Sequence, residues 1–505
     1  MVDQPQKLAA SLEALEQLQA EGVLAIKSSQ LSRTHRERLL ANGFLKLVMK
    51  GWYIASRPDE VQGESTAWYT TFWAFMSQYL TERFGDDWSL SPEQSLSFHA
   101  GSRSVPDQLI VRAPAARNQI TTFPHDTTIF EVKSAIAAGD DLIIVDGMRL
   151  FTVEAALINA SESYYRAHPV NARAILGSIP DASALLAKLL NDGRTRAAGR
   201  LAGAFRNIGS ARIADDILSA MKAAMHDVRE ADPFERALEV SGAGRLVSPH
   251  VMRIRIMWGE MRGELEGLLP AARPAPNDID AYLASVEAQY VTDAYHSLSI
   301  EGYRVTRDLI ERVRSGEWNP DENAEDLEHR NALAARGYWQ AFQAVKDTIR
   351  KVLEGNNPGE ACDQDLAGWY QQLFAPSVAA GLVEAARLAG YRNGPVYIRQ
   401  SKHVPMSVEA VRDCMPVFFE LLQEEEDPAA RIVLGHFIFV FIHPYFDGNG
   451  RTARFLMNVM MAAAGLPWTV IRLEQRNEYM VALEKASVDS DIKPFARLVS
   501  AAISD

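Results

Sequence analysis

The 505-residue chain is poor in cysteine: Cys362 and Cys414 are its only two, and they show no CxxC spacing. That excludes a disulfide framework and a thiolate zinc site, and it fits a reducing compartment. The most apolar stretch, Ile432 to Ile442, falls well short of the roughly 20 residues needed to span a bilayer. The opening segment MVDQPQKLAASLEALEQLQAEG lacks the apolar core of a secretory signal. The expectation is a cytoplasmic protein with no membrane partner. Internal repeats, low-complexity tracts, a GxxxxGK[ST] phosphate loop and an HExxH zinc motif are also missing, so the chemistry must come from another constellation. Positive charge is scarce overall, and a net charge of -13 disfavours nucleic-acid binding by the chain as a whole. An average over so long a chain still leaves room for a local basic patch.

What is present is ordinary globular material, 47% apolar and 23% charged, in a length that suits two or three domains. From Leu8 the pattern reads as helix, short helix, helix, then two β-rich runs around Met49-Lys50-Gly51. Leu12, Leu15, Leu18, Val23, Leu24 and Ile26 are core candidates. Ser32 sits where an N-cap would start Arg33 to Asn42, Gly43 closes that helix, and Phe44 to Val48 with Trp52 to Ile54 predict a hairpin. This outlines a winged helix-turn-helix over residues 8–58. Between Gly22 and Arg57, seven Lys or Arg stand against one acidic residue. Arg33, Arg36, Arg38, Lys46 and Lys50 are therefore candidates for contacting DNA, with a protein partner as the alternative. The run LLANGFLKLVMKGWY resembles the N-terminal region of AbiEi-like antitoxins, with their helix-turn-helix followed by lxxxGxlxxlxrGxY. An α+β middle region over 59–240, with β-like runs at Gln108 to Val111, Thr128 to Val132 and Leu142 to Val145, keeps a similar order and carries no catalytic constellation. The Pro-rich LLPAARPAPND near residues 268–278 punctuates the chain before a helical region, 250–505.

Residues 431 to 465 read RIVLGHFIFVFIHPYFDGNGRTARFLMNVMMAAAG. A helix apolar nearly all round must stop at His443, because Pro444 disfavours a helical residue before it. A second helix from about Arg451 to a cap at Gly465 then follows the loop HPYFDGNG. A glycine-rich loop opening onto a helix N-terminus offers free N–H groups and the positive end of a helix dipole, an anion site suited to phosphate. Gly448 and Gly450 allow close backbone approach. Arg451 and Arg454, three apart, face one polyphosphate. Asp447 is an oxygen ligand for Mg2+, and His443 is a base near neutral pH.

HPYFDGNGRTAR resembles the Fic signature HPFx[DE]GNGRxxR, with Tyr445 for Phe as its one departure. The resemblance extends through His436, YRNGPVYIRQSKHVP and RNEYMVALEKAS, over roughly residues 278–500. It implies an all-helical C-terminal domain with a short β-hairpin flap, so that the chain is mainly α. It also implies His443 as general base, Asp447 as metal ligand, and Gly448, Asn449 and Gly450 as anion hole. Arg451 would contact the α- and β-phosphates and Arg454 the γ-phosphate of ATP. Tyr397, Ile398, Lys402, His403 and Val404 would form the flap that docks a target segment. The segment Arg476 to Leu483 sits where the family closes over the base. SLSIEG resembles the family's inhibitory motif [ST]xxxE[GN] through Ser297, Glu301 and Gly302, so Glu301 would pair with Arg454 and exclude the γ-phosphate. The function implied is AMP transfer from Mg2+-ATP to a Ser, Thr or Tyr hydroxyl of a target protein, or of the chain itself, with Glu301 as brake. The alternatives are transfer of another phosphate-containing group, removal of AMP by the same site, or a DNA-binding antitoxin-like regulator.

Overall fold

The computed structural model describes residues 4–58, 64–137, 139–236, 238, 248–274, 276–317 and 329–504. The described chain is mostly helical and divides into two compact units. The boundaries expected at residues 59 and 240 lie outside the described residues.

The first unit comprises residues 1–249 with Tyr397–Val404. It opens with α1 (Gln4–Ala20), β1 (Ile26–Lys27), α2 (Arg33–Ala41), β2 (Leu45–Met49) and β3 (Trp52–Ala55), in a three-stranded sheet of order β1-β3-β2. Ser32 Oγ accepts from the His35 N–H and caps α2 as its side-chain chemistry dictates. The short helix expected before Ser32 does not form. Ile26 is instead fully buried in β1, opposite Tyr53, where a β-branched residue suits a half-covered sheet. Leu15, Ile26, Leu31, Leu39 and Leu45 make this region's core, with Leu12, Leu18 and Val23 packed on it.

The α+β part follows with α3 (Thr66–Phe84), β4 (Ser89–Leu90), α4 (Pro92–His99), β5 (Gln108–Ala113), β6 (Gln119–Thr122), β7 (Thr128–Lys133), β8 (Leu142–Val145) and β9 (Met148–Phe151). The four-stranded sheet β4-β5-β7-β6 has β5 and β7 parallel. Trp68, Phe72, Phe75 and Met76 of α3 bury against its Leu109, Val111 and Ile129. Helices α5 (Val153–Asn159), α6 (Glu162–Ala167), α7 (Pro169–Gly177), α8 (Ser183–Asp192), α9 (Thr195–Asn207) and α10 (Ala211–Ala223) complete the unit.

The second unit, residues 250–396 and 405–505, is helical. Its elements are α11 (Pro249–Arg262), α12 (Ile279–Ile300), α13 (Arg307–Ser315), α14 (His329–Leu353), α15 (Pro358–Ala379), α16 (Val408–Glu424), α17 (Pro428–Ile442), α18 (Asn449–Ala463), α19 (Arg476–Asp489) and α20 (Lys493–Ser504). α17 is buried nearly all round, as its uniformly apolar sequence requires, and it packs against α18 across the intervening loop.

Candidate functional site

The loop between α17 and α18 is fixed by its own sequence. His443 ends α17 in the left-handed conformation, φ 55° and ψ 61°, which the following proline favours over helix. Gly448, at φ 83°, caps α18, so that helix begins at Asn449, two residues earlier than its charge pattern suggests. Asn449 is buried with its amide closed on one residue. Oδ1 accepts from Tyr445 N–H at 2.9 Å and Nδ2 donates to Tyr445 O at 2.8 Å. Its side chain thus locks the loop rather than facing an anion. Tyr445 stacks on Tyr370 with ring centres 3.7 Å apart, so the added hydroxyl leaves the aromatic packing in place.

His443 Nδ1 lies 3.2 Å from Val440 O, a pure acceptor, so Nδ1 carries the proton and Nε2 keeps its lone pair. Burial, with help from the Arg392 guanidinium, pushes its pKa down to about 4 against the pull of the Val440 carbonyl, Glu301 and Asp447. The imidazole is therefore neutral at pH 7. Arg392, which the sequence reading did not single out, is buried and fixes this corner. Nε donates to His443 O at 2.8 Å, Nη1 to Gly394 O at 3.0 Å and Nη2 to Met406 O, while its backbone N–H reaches Pro444 O at 2.8 Å. The partner lies 51 residues away, so no local pattern announces the role.

Arg451 and Arg454 are both buried on the first turns of α18. Arg451 lies between the rings of Tyr303 and Phe374, each 5.1 Å from its guanidinium, and 3.2 Å from Asp447 Oδ1. Its Nε has no hydrogen-bond acceptor, and its Nη2 meets Asp447 as an ion pair outside hydrogen-bond geometry. Arg454 donates from Nε to Ser297 Oγ (2.9 Å) and from Nη2 to Ser297 O (3.0 Å) and Glu301 Oε1 (2.7 Å), while Nη1 is without an acceptor. Burial pulls the Arg454 pKa down, but Glu301, Tyr479 and Tyr338 outweigh it and hold the guanidinium firmly charged. A β-carbon on Gly450 would lie 2.3 Å from Glu301 Oε1, so the carboxylate rests on the helix N-terminus itself. The result is an anion cradle filled by the chain's own carboxylate.

Three anchors hold α12, which carries that carboxylate. Besides the Ser297–Arg454 bonds, Leu473 N–H donates to His296 Nδ1 at 3.0 Å, and Arg476 Nε donates to Ile300 O at 2.8 Å. Glu301 caps the helix, and Gly302 turns the chain at φ 87°. His436, in α17, is fully buried with Nε2 3.0 Å from the Tyr479 hydroxyl, and its pKa is pushed down to about 3, chiefly by burial.

Asp447 is exposed, and its Oδ1 accepts from Gly448 N–H at 2.6 Å. Among the described residues no group of three His, Cys, Asp or Glu is placed to hold a metal. A lone hard carboxylate oxygen beside two buried arginines fits a magnesium ion only as one ligand among several.

The flap positions belong to the first unit. Residues 397–404 form no strand ladder, because their backbone groups bond elsewhere: Gln400 N–H to Thr66 Oγ1 at 3.1 Å, and Lys402 O from Val105 N–H at 2.9 Å. Arg399 makes a bidentate pair with the buried Glu64, and Lys402 pairs with Asp107. Tyr397 is exposed, Ile398 and Val404 are half-buried, and His403 is buried. Of the basic arm, Arg33 pairs with Glu37, Arg36 donates to Ser28 O, and Arg38 donates to Lys7 O and Ser11 Oγ. Lys46 Nζ lies 3.5 Å from Glu64 O, and Lys50 is exposed in the β2–β3 turn. The first unit therefore spends three of its five candidate DNA contacts, Arg36, Arg38 and Lys46, on its own backbone.

The geometry defines an anion-binding centre on a helix N-terminus, with a neutral imidazole at the preceding turn. Residues 362–461 match the model of the Fic/DOC family, so the chain carries a Fic domain there. It is 30% identical over 221 residues to the protein adenylyltransferase Fic of Nematostella vectensis, covering 43% of this chain and 47% of that protein. It is 36% identical over 219 residues to the protein adenylyltransferase fic-1 of Caenorhabditis elegans, covering 42% and 39%. The match spans less than half the length of these relatives. Among solved structures it is similar to a fragment of Fic-1 from C. elegans, at 19% identity and a TM-score of 0.36, covering 64% of this chain and 89% of that one. Among the described residues no helix is long and apolar enough to cross a membrane.

Proposed function

We propose that the chain is a protein adenylyltransferase that moves AMP from ATP to a hydroxyl of a target protein, held off by Glu301. The observation that carries this reading is the pair of buried arginines at the start of α18, whose unpartnered donors and internal carboxylate mark a site built for polyphosphate. A target Ser, Thr or Tyr oxygen attacks the α-phosphorus, its bond to the bridging oxygen breaks, and pyrophosphate leaves. The hydroxyl proton passes to His443 Nε2. Amides at the N-terminus of α18 and the Arg451 guanidinium stabilise charge on the phosphate oxygens, and Arg454 takes the γ-phosphate once Glu301 lets go. When bound, a magnesium ion held by Asp447 would neutralise phosphate charge.

The test is intact mass of the Glu301→Gly protein after incubation with magnesium and ATP, with the double variant Glu301→Gly, His443→Ala as control. A gain of one or more AMP groups confined to the first supports the reading. ATP labelled at the α or the γ position separates AMP transfer from phosphate transfer, and label carried only by the γ position overturns it. For the first unit we propose an AbiEi-like winged helix that reads a protein rather than duplex DNA, since Arg36 and Arg38 are committed to carbonyls. A gel shift with a steep salt slope would contradict that.

A further inference from the structure

The two arginines of the cradle are held in different ways. Arg454 has its Nε and Nη2 donors bonded to Ser297 and Glu301. Arg451 is only 1% exposed, yet its Nε is without an acceptor and its ion pair with Asp447 reaches a carboxylate that is itself exposed. What encloses Arg451 is aromatic: the rings of Tyr303 and Phe374 each lie 5.1 Å from its guanidinium carbon. A ring attracts a cation through its quadrupole and carries no oxygen lone pair, so it steadies the charge without occupying the N–H donors. Phe374 is a buried residue of α15 packed on Tyr370, which in turn stacks on Tyr445 of the loop. Tyr303 comes instead from the turn that carries Glu301. Its N–H donates to Leu298 O at 3.1 Å, the following N–H, of Arg304, donates to Asn331 Oδ1 of α14 at 3.1 Å, and Arg330 of α14 lies 5.5 Å over the same ring. None of these ties passes through the Glu301 carboxylate.

We propose that Tyr303 is the positioning residue for Arg451: with Phe374 it forms an aromatic slot that keeps the guanidinium beside Gly448 with donors unspent, ready for the phosphate oxygens of a nucleotide. The inference rests on the reading of the α18 N-terminus as a polyphosphate site. In this role Tyr303 acts through Arg451 rather than on the nucleotide. The division of labour follows from the chemistry of the two partners. An arginine held by a carboxylate must lose that anion before phosphate can replace it, whereas an arginine held by rings has nothing to give up. One short turn, Glu301 to Tyr303, thus contributes the group that withholds Arg454 and the group that readies Arg451.

The experiment measures ATP binding by calorimetry, with every variant made in Glu301→Gly so that no change in the carboxylate enters. Tyr303→Leu keeps apolar bulk but removes the ring, and should weaken binding about fivefold, within the range of a desolvated cation–π contact. Tyr303→Phe keeps the ring and should bind within about twofold of the Glu301→Gly parent. In Arg451→Met, which keeps side-chain length without the charge, Tyr303→Leu should have no further effect. The same loss with and without Arg451, as generic damage would give, overturns the proposal, and so do equal losses for Leu and Phe. If Arg451→Met does not fold, the comparison of Leu with Phe decides alone. AMP transfer by the parent tests the adenylyltransferase reading separately. Coupled binding without transfer would refute that reading and support the slot, transfer with uncoupled binding would do the reverse, and a parent that binds no ATP overturns both.

Discussion

Replacing Glu301 by glycine removes one charge-assisted hydrogen bond of 2.7 Å to a buried guanidinium, from a side chain only 23% exposed. Such bonds contribute about 1.5–3 kcal/mol. At about 1.4 kcal/mol per tenfold, the off state should lose roughly a factor of 10 to 150. The carboxylate also occupies space: its Oε1 lies 2.3 Å from where a β-carbon of Gly450 would be, so its removal empties the cradle as well as freeing Arg454. We therefore expect self-modification by Glu301→Gly, followed by intact mass against time, to run about 10- to 150-fold faster than in the unaltered chain. Glu301→Gln, which keeps the bulk and an acceptor but not the charge, should fall between. Equal rates in all three chains, with ATP bound in each, would refute the argument.

His443 is held neutral down to about pH 4, so in Glu301→Gly the acid limb of the pH–rate profile should lie well below 6.5; a limb at or above 6.5 would show that the burial argument fails. Asn449→Ala deletes two bonds to the Tyr445 backbone and should cost about 1–3 kcal/mol in chemical denaturation, with activity falling in parallel because the loop loosens. Arg392→Leu leaves His443 O and Gly394 O without their donor, and kcat should drop at least about tenfold with KM for ATP little changed, since the residue touches the base's backbone and not the cradle. An unchanged kcat would remove Arg392 from the machinery.

Much of this was legible because it is local. Ser32 as a cap, the turn at Gly51, the uniformly buried α17 and the break at His443 each follow from a few neighbouring residues. The grouping of Gly448, Gly450, Arg451 and Arg454 is local too, since they fall within about two helical turns of each other. What escaped depends on partners distant in sequence. Arg392 looks like any loop arginine until the chain brings His443 O to it. The role of the Asn449 side chain was hidden as well, since it closes back on Tyr445 while its backbone N–H stays at the start of α18. Residues 397–404 resemble the family's flap hairpin, yet Thr66 and Val105 take hydrogen bonds a ladder would use. Isoleucine at position 26 suits helix or strand, and pairing with Tyr53 decided it.

If Glu301 is the brake proposed above, the two buried arginines give a reason for it. A guanidinium withdrawn from water needs acceptors for its donors, and Arg454 finds them in Ser297 and in the carboxylate of Glu301. Inhibition and apo stability are then one interaction. ATP and Glu301 compete for the same cation, so whatever weakens Glu301 must lower the ligand-free Tm while increasing the rise that ATP produces, by mass action on the folded state. The two shifts have opposite signs and a common origin. A substitution at Glu301 that raised AMP transfer and also raised the ligand-free Tm would break that link, and would mean that the carboxylate restrains the enzyme through something other than Arg454.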